Sequence, residues 1–488
     1  MNIQRQIPSG VVVDIEEKVV REPARATRVA AEADVIVAGG SLTGVCAALG
    51  AARNGAKVVL VEQYGFLGGQ MTAGLVCSPH RPLPCSRGEG GEEPIFVEIL
   101  RRCVNTAGLK HTWVEIEKDP TIDVFLNPEV AKYVLIEMLE EAGVELLLHS
   151  FVSDAIVVDG VVRGIIVENK AGRSALLGGV VVDATGDADV AARAGAPYIL
   201  RPVNERWGPG MMSLMCGVDL AKTYKYLEEH PDEYTGKAPL EELEQCVAGD
   251  YQRKSRAFFG FPALISEAVA NGDFEERDCV GFYWMGRGIA LLSGYPGPHL
   301  PQTDCLNARQ VTDAESIFRK WQWRKASFFR KYVPGFEDSS LIATGVHFGV
   351  RETRTLWAEH VLNGEDVKAS REFDDTVFSV PQAGGAAVVH VVPDHPNQEA
   401  PPAHGCDPEV VGDLNVPYRT LLPREVDNLL VAGRCVGYMI GAGALFGQAA
   451  GTAAALSVKN GVPPRNLDVP TLQETLRRQG FAYAAIVP

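Results

Sequence analysis

Asp34-Val-Ile-Val-Ala-Gly-Gly-Ser-Leu-Thr-Gly44, followed by Lys57-Val-Val-Leu-Val-Glu62, is the stretch that decides the fold. Val35 to Ala38 is the short apolar run of a strand buried on both faces, and Gly39, Gly40 and Gly44 turn the chain sharply into a helix. The amides and dipole of that helix N-terminus favour a pyrophosphate, and Gly44 lets the helix lie close to the strand. Glu62 ends the second strand, where a carboxylate can accept both ribose hydroxyls of an adenosine. Strand, turn, helix, strand and acid in that order predict a dinucleotide-binding unit. Ser41 stands where G-x-G-x-x-G has its middle glycine, so a side chain approaches the phosphate, and its hydroxyl is expected to donate there.

At 488 residues the chain exceeds one hydrophobic core, so two or three interlocked domains are expected. A net charge of -16 and a pI near 5.2 exclude a broad nucleic-acid or anionic-membrane surface. The sequence holds no apolar run of membrane-span length, and its first residues lack a signal-peptide core; a cytoplasmic location is the expectation. The ten cysteines show no C-x-x-C pair and are expected as buried reduced thiols.

Residues 1–33 are expected as an N-terminal extension. Cys77 to Glu93, rich in Pro, Gly and charge, reads as a loop. Asn127 to Ala142 has a helix pattern with Asn127 as cap, Pro128 in the first turn and Gly143 as stop. Strands are expected at Val144–His149, Val152–Val158, Val161–Glu168 and Val180–Ala184, with a turn at Asp159-Gly160. Residues 195–414 shift to aromatic and basic residues and suit a substrate-covering domain, with a helix over Asp313–Tyr332. Phe373–Asn415 reads as irregular. A strand at Asn428–Ala432 and an alanine-rich helix over Gly447–Val458 complete a first domain of residues 34–194 and 415–488.

The chain resembles the bacterial FAD-dependent oxidoreductases of the glutathione-reductase-like flavoproteins. The landmarks are Gly39–Gly44, Glu62, Tyr64–Thr72, Asp-Ala-Thr-Gly-Asp at 183–187 and Pro-Gly-Phe-Glu at 334–337. Further on stand Gly-Val-Arg-Glu-Thr-Arg at 349–354, Val-Pro-Tyr-Arg at 416–419, Leu-Val-Ala-Gly-Arg-Cys at 430–435 and Gly-Gln-Ala-Ala-Gly-Thr-Ala-Ala-Ala at 447–455. The resemblance implies an α/β fold, a Rossmann-like FAD-binding domain of glutathione-reductase type with an inserted α+β substrate domain. It also implies tightly held FAD, with adenosine on Gly39–Glu62, pyrophosphate near Gly44 and Gly186, and the ring system under Gly68, Gly69, Gln70, Met71 and Thr72. Gln63, Val152, Asp187, Gly433 and Arg434 complete the expected cofactor contacts. A helix N-terminus at Gly447 and Gln448 would stabilise the negative charge of a reduced flavin. The segment Val436–Phe446 is shorter than in many family members and lacks their histidine and arginine, so the substrate side is remodelled.

The activity expected is FAD-dependent dehydrogenation or reduction of a small organic substrate by hydride transfer; the alternative is a flavin-bound lyase, hydratase or isomerase without net redox turnover. With no second glycine-rich dinucleotide unit, the electron donor or acceptor stays open. Assembly into a homo-oligomer is compatible with the chain and is not specified by it. His390 is the first candidate for the substrate proton, with a core role as its competitor, and Tyr438 the second, with core packing of its phenol as the alternative. Arg351 and Arg354 frame Glu352; either can clamp a carboxylate, or pair internally with Glu352 or link domains. His347 stands beside them with the same two readings. Cys435 is expected to pack beside its turn. His390, Asp394, His395, His404 and Cys406 are spaced loosely and read as a solvated loop, so no metal is expected.

Overall fold

The computed structural model describes residues 12–14, 19–21, 24–78, 92–118, 124–236, 239–250, 257–275, 280–292, 300, 302–384, 411–437 and 440–481. His390, Asp394, His395, His404, Cys406 and Tyr438 lie outside them.

The run quoted above forms β1 (Val29–Ala38), α1 (Leu42–Arg53) and β2 (Val58–Val61). The first strand starts at Val29, reaching back into the expected N-terminal extension, because Val29–Ala33 pair with Ala175–Gly178. Next come α2 (Pro128–Glu141), β3 (Glu145–Leu147), β4 (Phe151–Val158), β5 (Val161–Asn169) and β6 (Gly172–Asp183). Asn127 caps α2 as its sequence predicts, accepting the Glu129 amide at 2.9 Å. β7 (Leu429–Val431) and α3 (Ile440–Asn460) come from the other end of the chain.

These strands make one mixed sheet of seven, ordered β3-β2-β1-β6-β5-β4, with β7 also on β6. The partners β3, β2, β1, β6 and β7 run parallel, whereas β4, β5 and β6 run antiparallel. β6 changes partner along its length. Its first half, Gly172–Leu177, pairs with β5, and Val181–Asp183 pair with β7. Only the second half is legible as a strand in the sequence, since Gly172, Gly178 and Gly179 read as breaks. A Cβ at Gly178 would sit 3.0 Å from the Ile36 side chain, a tight contact that a small shift of that side chain would have to relieve.

Both faces of the sheet are covered, with pleat-alternating residues in separate cores. Val35, Val37, Leu60 and Val182 face α1, α2 and α3, while Ile36, Val59, Val61 and Val181 face Val162, Ile165 and Leu176 from the antiparallel hairpins. α1 and α3 approach unusually closely. A Cβ at Gly447 would lie 2.1 Å from the Thr43 carbonyl oxygen, and one at Gly451 would lie 1.9 Å from that of Ala47. α3 therefore begins at Ile440, seven residues before the expected start; its glycines, which read as loop, are contact points for α1.

A second, antiparallel sheet has five strands in the order 257–259, 281–286, 289–292, 213–216 and 340–344. Its aromatic core includes Phe258, Phe282, Phe329 and Phe336, the third from the helix Ala308–Tyr332. That helix is longer than the expected Asp313–Tyr332, because Asn307 caps it by accepting the Arg309 and Gln310 amides. The stretch expected to be irregular contains an antiparallel pair, Thr376–Gly384 with Val411–Pro417. Val377, Phe378, Leu414 and Val416 of that pair pack into the first core.

Candidate functional site

Three glycine turns meet above the C-terminal ends of β1, β6 and β7. In the first, Gly39 has φ +99° and a Cβ there would lie 2.6 Å from the Ala184 carbonyl oxygen; at Gly44 it would lie 1.8 Å from that of Gly39. No side chain fits either place. Gly186 (φ +87°) makes the second turn and Gly433 (φ +116°) the third, where a Cβ would be 3.8 Å from both Gly186 and the Thr43 side chain. The three strand ends thus converge on the first turn of α1.

Ser41 departs from its expected role. Its hydroxyl donates to the Ala184 carbonyl at 3.3 Å and accepts the Gly44 amide at 3.4 Å, so it caps α1 and its single proton is engaged away from any phosphate. The amides of Leu42 and Thr43 remain as the first-turn donors that a bound anion would meet.

Glu62 is buried, with Oε2 accepting the Gly40 amide at 2.7 Å and Oε1 the Tyr64 amide at 2.8 Å. Burial pushes its carboxyl above the usual range, against those two hydrogen bonds. Each oxygen keeps a lone pair for a further donor. Gln63, beside it, is exposed, and Val152 is buried in the core on the far face of the sheet.

The loop after β2 returns to the first turn: Gly68 donates its amide to the Gly40 carbonyl at 2.9 Å, and Gly68 and Gly69 both have positive φ. Met71 packs into the main core, and the Thr72 hydroxyl donates to the Leu67 carbonyl at 2.6 Å. Gln70 points elsewhere. Its Nε2 lies 3.4 Å from His347 Nε2, and its Oε1 is buried with no partner among the described residues.

Gly345–Arg354 runs across this loop and stitches the two sheets together. Val346 donates its amide to the Ala73 carbonyl at 2.6 Å, and Phe348 donates its own to Glu315 Oε1 at 3.1 Å. Asp187 accepts from Arg434 and from the Thr353 hydroxyl; Arg434 also donates to the Val350 carbonyl at 2.6 Å. Arg354 donates to the Asp187 carbonyl and to Asp189, both at 3.0 Å. Glu352 is paired with Arg201 at 3.2 Å, both buried, and Arg354 pairs with Asp189 rather than with Glu352. Arg351 lies over the Trp207 ring, 5.7 Å from its centroid. Thr353 lies inside the 349–354 motif and His347 just before it, but their partners Asp187 and Gln70 are revealed only by the fold.

Gly447 and Gln448 need a second correction. Neither is at a helix N-terminus: Gly447 is the contact with Thr43, and buried Gln448 accepts the Ile95 amide at 2.9 Å, capping the neighbouring helix Ile95–Ala107. Cys435 is buried beside its turn as expected, and burial pushes its thiol up. The other described cysteines are free thiols as well. Among the described residues no group of three or more His, Cys, Asp or Glu side chains is arranged to hold a metal, and no helix is long and apolar enough to cross a membrane.

The residues at the strand ends fit an extended dinucleotide: three glycine turns gather around the first turn of α1, whose Leu42 and Thr43 amides are not used by the Ser41 cap, and Glu62 keeps acceptor capacity beside them. The family model described as FAD dependent oxidoreductase matches residues 34–476. Among solved structures, a p-nitrophenol 4-monooxygenase from Pseudomonas putida is similar at 13% identity and a TM-score of 0.43, over 91% of this chain and 83% of its own. A geranylgeranyl bacteriochlorophyll reductase-like protein from Thermoplasma acidophilum is similar at 13% identity and a TM-score of 0.41, over 92% and 83%. An L-proline dehydrogenase from P. horikoshii gives 13% and 0.40, over 92% and 97%. No curated protein matches.

Proposed function

This chain belongs to the FAD dependent oxidoreductase family, its cofactor is FAD, and from that premise we propose that it transfers a hydride between a small organic substrate and tightly bound FAD. The fold proposed is of glutathione-reductase type, with the five-stranded sheet of residues 213–344 as the core of a substrate-covering domain. The observation that carries this reading is the gathering of the three glycine turns around the first turn of α1, with Glu62 closing the first of them and the Gly68–Thr72 loop returning to it.

In this assignment Glu62 accepts the ribose hydroxyls while the Leu42 and Thr43 amides and the α1 dipole hold the pyrophosphate. Asp187 and Arg434 brace the turns on either side, and Gly68–Thr72 border the ring. When bound, FAD supplies the hydride acceptor or donor. The protein must bring the substrate to the ring, exclude water and move one proton. His390 is assigned that proton, with Tyr438 second, and Arg351 is assigned to a substrate carboxylate. The electron partner is a separate molecule.

The test is anaerobic mixing of the yellow protein with candidate substrates or reductants while flavin absorbance is followed. Stoichiometric bleaching or reoxidation by an organic substrate is expected, and His390→Ala should keep FAD bound while slowing the step about 100-fold or more. A protein that cannot be loaded with FAD overturns the assignment. FAD that no organic substrate reduces or reoxidises overturns the hydride transfer.

A further inference from the structure

Gly345–Gly349 grips the Tyr64–Ala73 loop at both of its ends. Val346 donates its amide to the Ala73 carbonyl at 2.6 Å, one residue past Thr72. At the other end the His347 ring stacks on Tyr64, two residues past Glu62, with ring centroids 5.7 Å apart and planes 15° apart. The outer residues of the same segment are tied to the approach of the strand 213–216: Gly345 donates to the Met212 carbonyl at 2.9 Å and Gly349 to that of Gly210 at 2.6 Å. Where this segment rests therefore sets where the loop rests.

Two side chains of the helix Ala308–Tyr332 hold the segment in turn. Glu315 Oε1 accepts the Phe348 amide at 3.1 Å, Arg319 donates to the Val346 carbonyl at 3.1 Å, and Arg319 also donates to the Thr344 hydroxyl. Val346 is thus bonded through both main-chain groups, once to the loop and once to the helix. Glu315 and Arg319 are paired with each other at 3.0 Å across one helical turn, with the acid on the N-terminal side, the favoured order. An ion pair as open as this one is worth little to stability by itself. With side-chain exposures of 25% and 42%, water can replace both as partners of the main chain, so folding does not depend on them. What water would not supply is a fixed position, which bonds from ionised groups to the main chain do supply.

We propose that Glu315 and Arg319 are positioning residues for the flavin: acting through Val346 and Phe348, they fix the Tyr64–Ala73 loop against the ring and so limit how far water reaches it. This inference rests on the assignment of the ring to Gly68–Thr72. Phe328 and Phe329 of the same helix pack into the core of the five-stranded sheet, so a shift of that sheet is carried along the helix to the loop.

The experiment reads the bound flavin of the holoprotein by iodide quenching of its fluorescence and by its visible circular dichroism, in the wild type, Glu315→Ala, Arg319→Ala, Glu315→Gln, Lys320→Ala and Tyr64→Leu. Both helix variants to alanine at 315 and 319 are expected to retain FAD and a urea midpoint near that of the wild type, while iodide quenches the flavin more steeply and the dichroism changes. Glu315→Gln keeps an acceptor for the Phe348 amide but turns its NH₂ group toward Arg319, so it should fall between Glu315→Ala and the wild type. Lys320→Ala, exposed on the same helix, should match the wild type. Wild-type flavin readings in both Glu315→Ala and Arg319→Ala overturn the proposal, as does an equal change in Lys320→Ala, or a lowered urea midpoint with unaltered flavin readings. Tyr64→Leu separates that failure from failure of the ring assignment. If it alters the flavin readings while the helix variants do not, only the helix role fails; if it too leaves them unaltered, the ring does not lie at this loop.

Discussion

Glu62 Oε2 accepts the Gly40 amide at 2.7 Å, so the acid ending the second strand closes the turn that ends the first. In the protein without FAD this ionised carboxylate is costly: burial raises its pKa, so the fold favours the protonated acid and loses stability as pH rises through the raised value. Ribose hydroxyls donating to it favour the ionised form. Binding therefore releases a proton, and FAD retention should strengthen between pH 5 and 7. Glu62→Gln should flatten that dependence and weaken retention by about 1.5–3 kcal/mol, and it should also destabilise the protein lacking FAD, because its NH₂ group cannot accept whichever of the Gly40 and Tyr64 amides it meets. Equilibrium dialysis at three pH values with thermal melts of both forms measures each effect; full FAD occupancy after dialysis of the variant would remove Glu62 from the ribose.

How much of this was legible follows from what each residue's signal depends on. Val35–Ala38 and Gly39 are readable because a doubly buried strand and a tight turn leave local marks. The first half of β6 and the first two turns of α3 are hidden by their glycines. Gly178 and Gly447 meet Ile36 and Thr43, distant in sequence, and locally they look like breaks. Ser41 reads from its place in the turn as a phosphate contact, and only the distant Ala184 carbonyl, with the cap on the Gly44 amide, gives its hydroxyl another use. The Gln70–His347 pair belongs to tertiary structure alone.

Gly451 has no space for a methyl group. A Cβ there would stand 1.9 Å from the Ala47 carbonyl oxygen, so Gly451→Ala must push α3 away from α1. The expected cost is about 3 kcal/mol or more, at the upper end of overpacking, with FAD retention reduced because Thr43 moves with α1. Ser457→Ala serves as the control on the same helix: its hydroxyl is buried without a partner among the described residues, so its removal should be neutral or slightly stabilising. Urea unfolding of the three proteins measures the contrast.

Arg434 and Asp187 join two of the three glycine turns, and Arg434 also holds the Val350 carbonyl at 2.6 Å. Arg434→Ala and Asp187→Asn should each lower FAD affinity at least tenfold. The double variant should lose less than the two losses added, with a coupling of about 1–3 kcal/mol, as groups sharing one network do. FAD titrations across the double-mutant cycle give that number; additive losses would mean that the two side chains act separately.

Arg201 and Glu352 form a buried pair at 3.2 Å, with side-chain exposures of 6% and 2%. Glu352 Oε2 also accepts the Trp207 amide at 3.3 Å, and burial pushes this carboxyl up against the pull of Arg201. Removing Arg201 takes away the largest charge partner of Glu352, leaving the more distant pull of Arg206. Arg201→Met should therefore cost about 3–5 kcal/mol at pH 8, whereas adding Glu352→Leu should recover most of it, since apolar replacement of both members of such a pair is often neutral. The pH dependence has a definite sign. Without Arg201 the folded-state pKa of Glu352 rises further above its unfolded value, so stability is lost as pH rises through it and regained as pH falls. The deficit of Arg201→Met should shrink between pH 8 and pH 5, and the double variant should show no such trend. Urea unfolding at both pH values decides it; a deficit that stays constant would mean that the loss comes from guanidinium packing, not from the weakened pairing of the carboxylate.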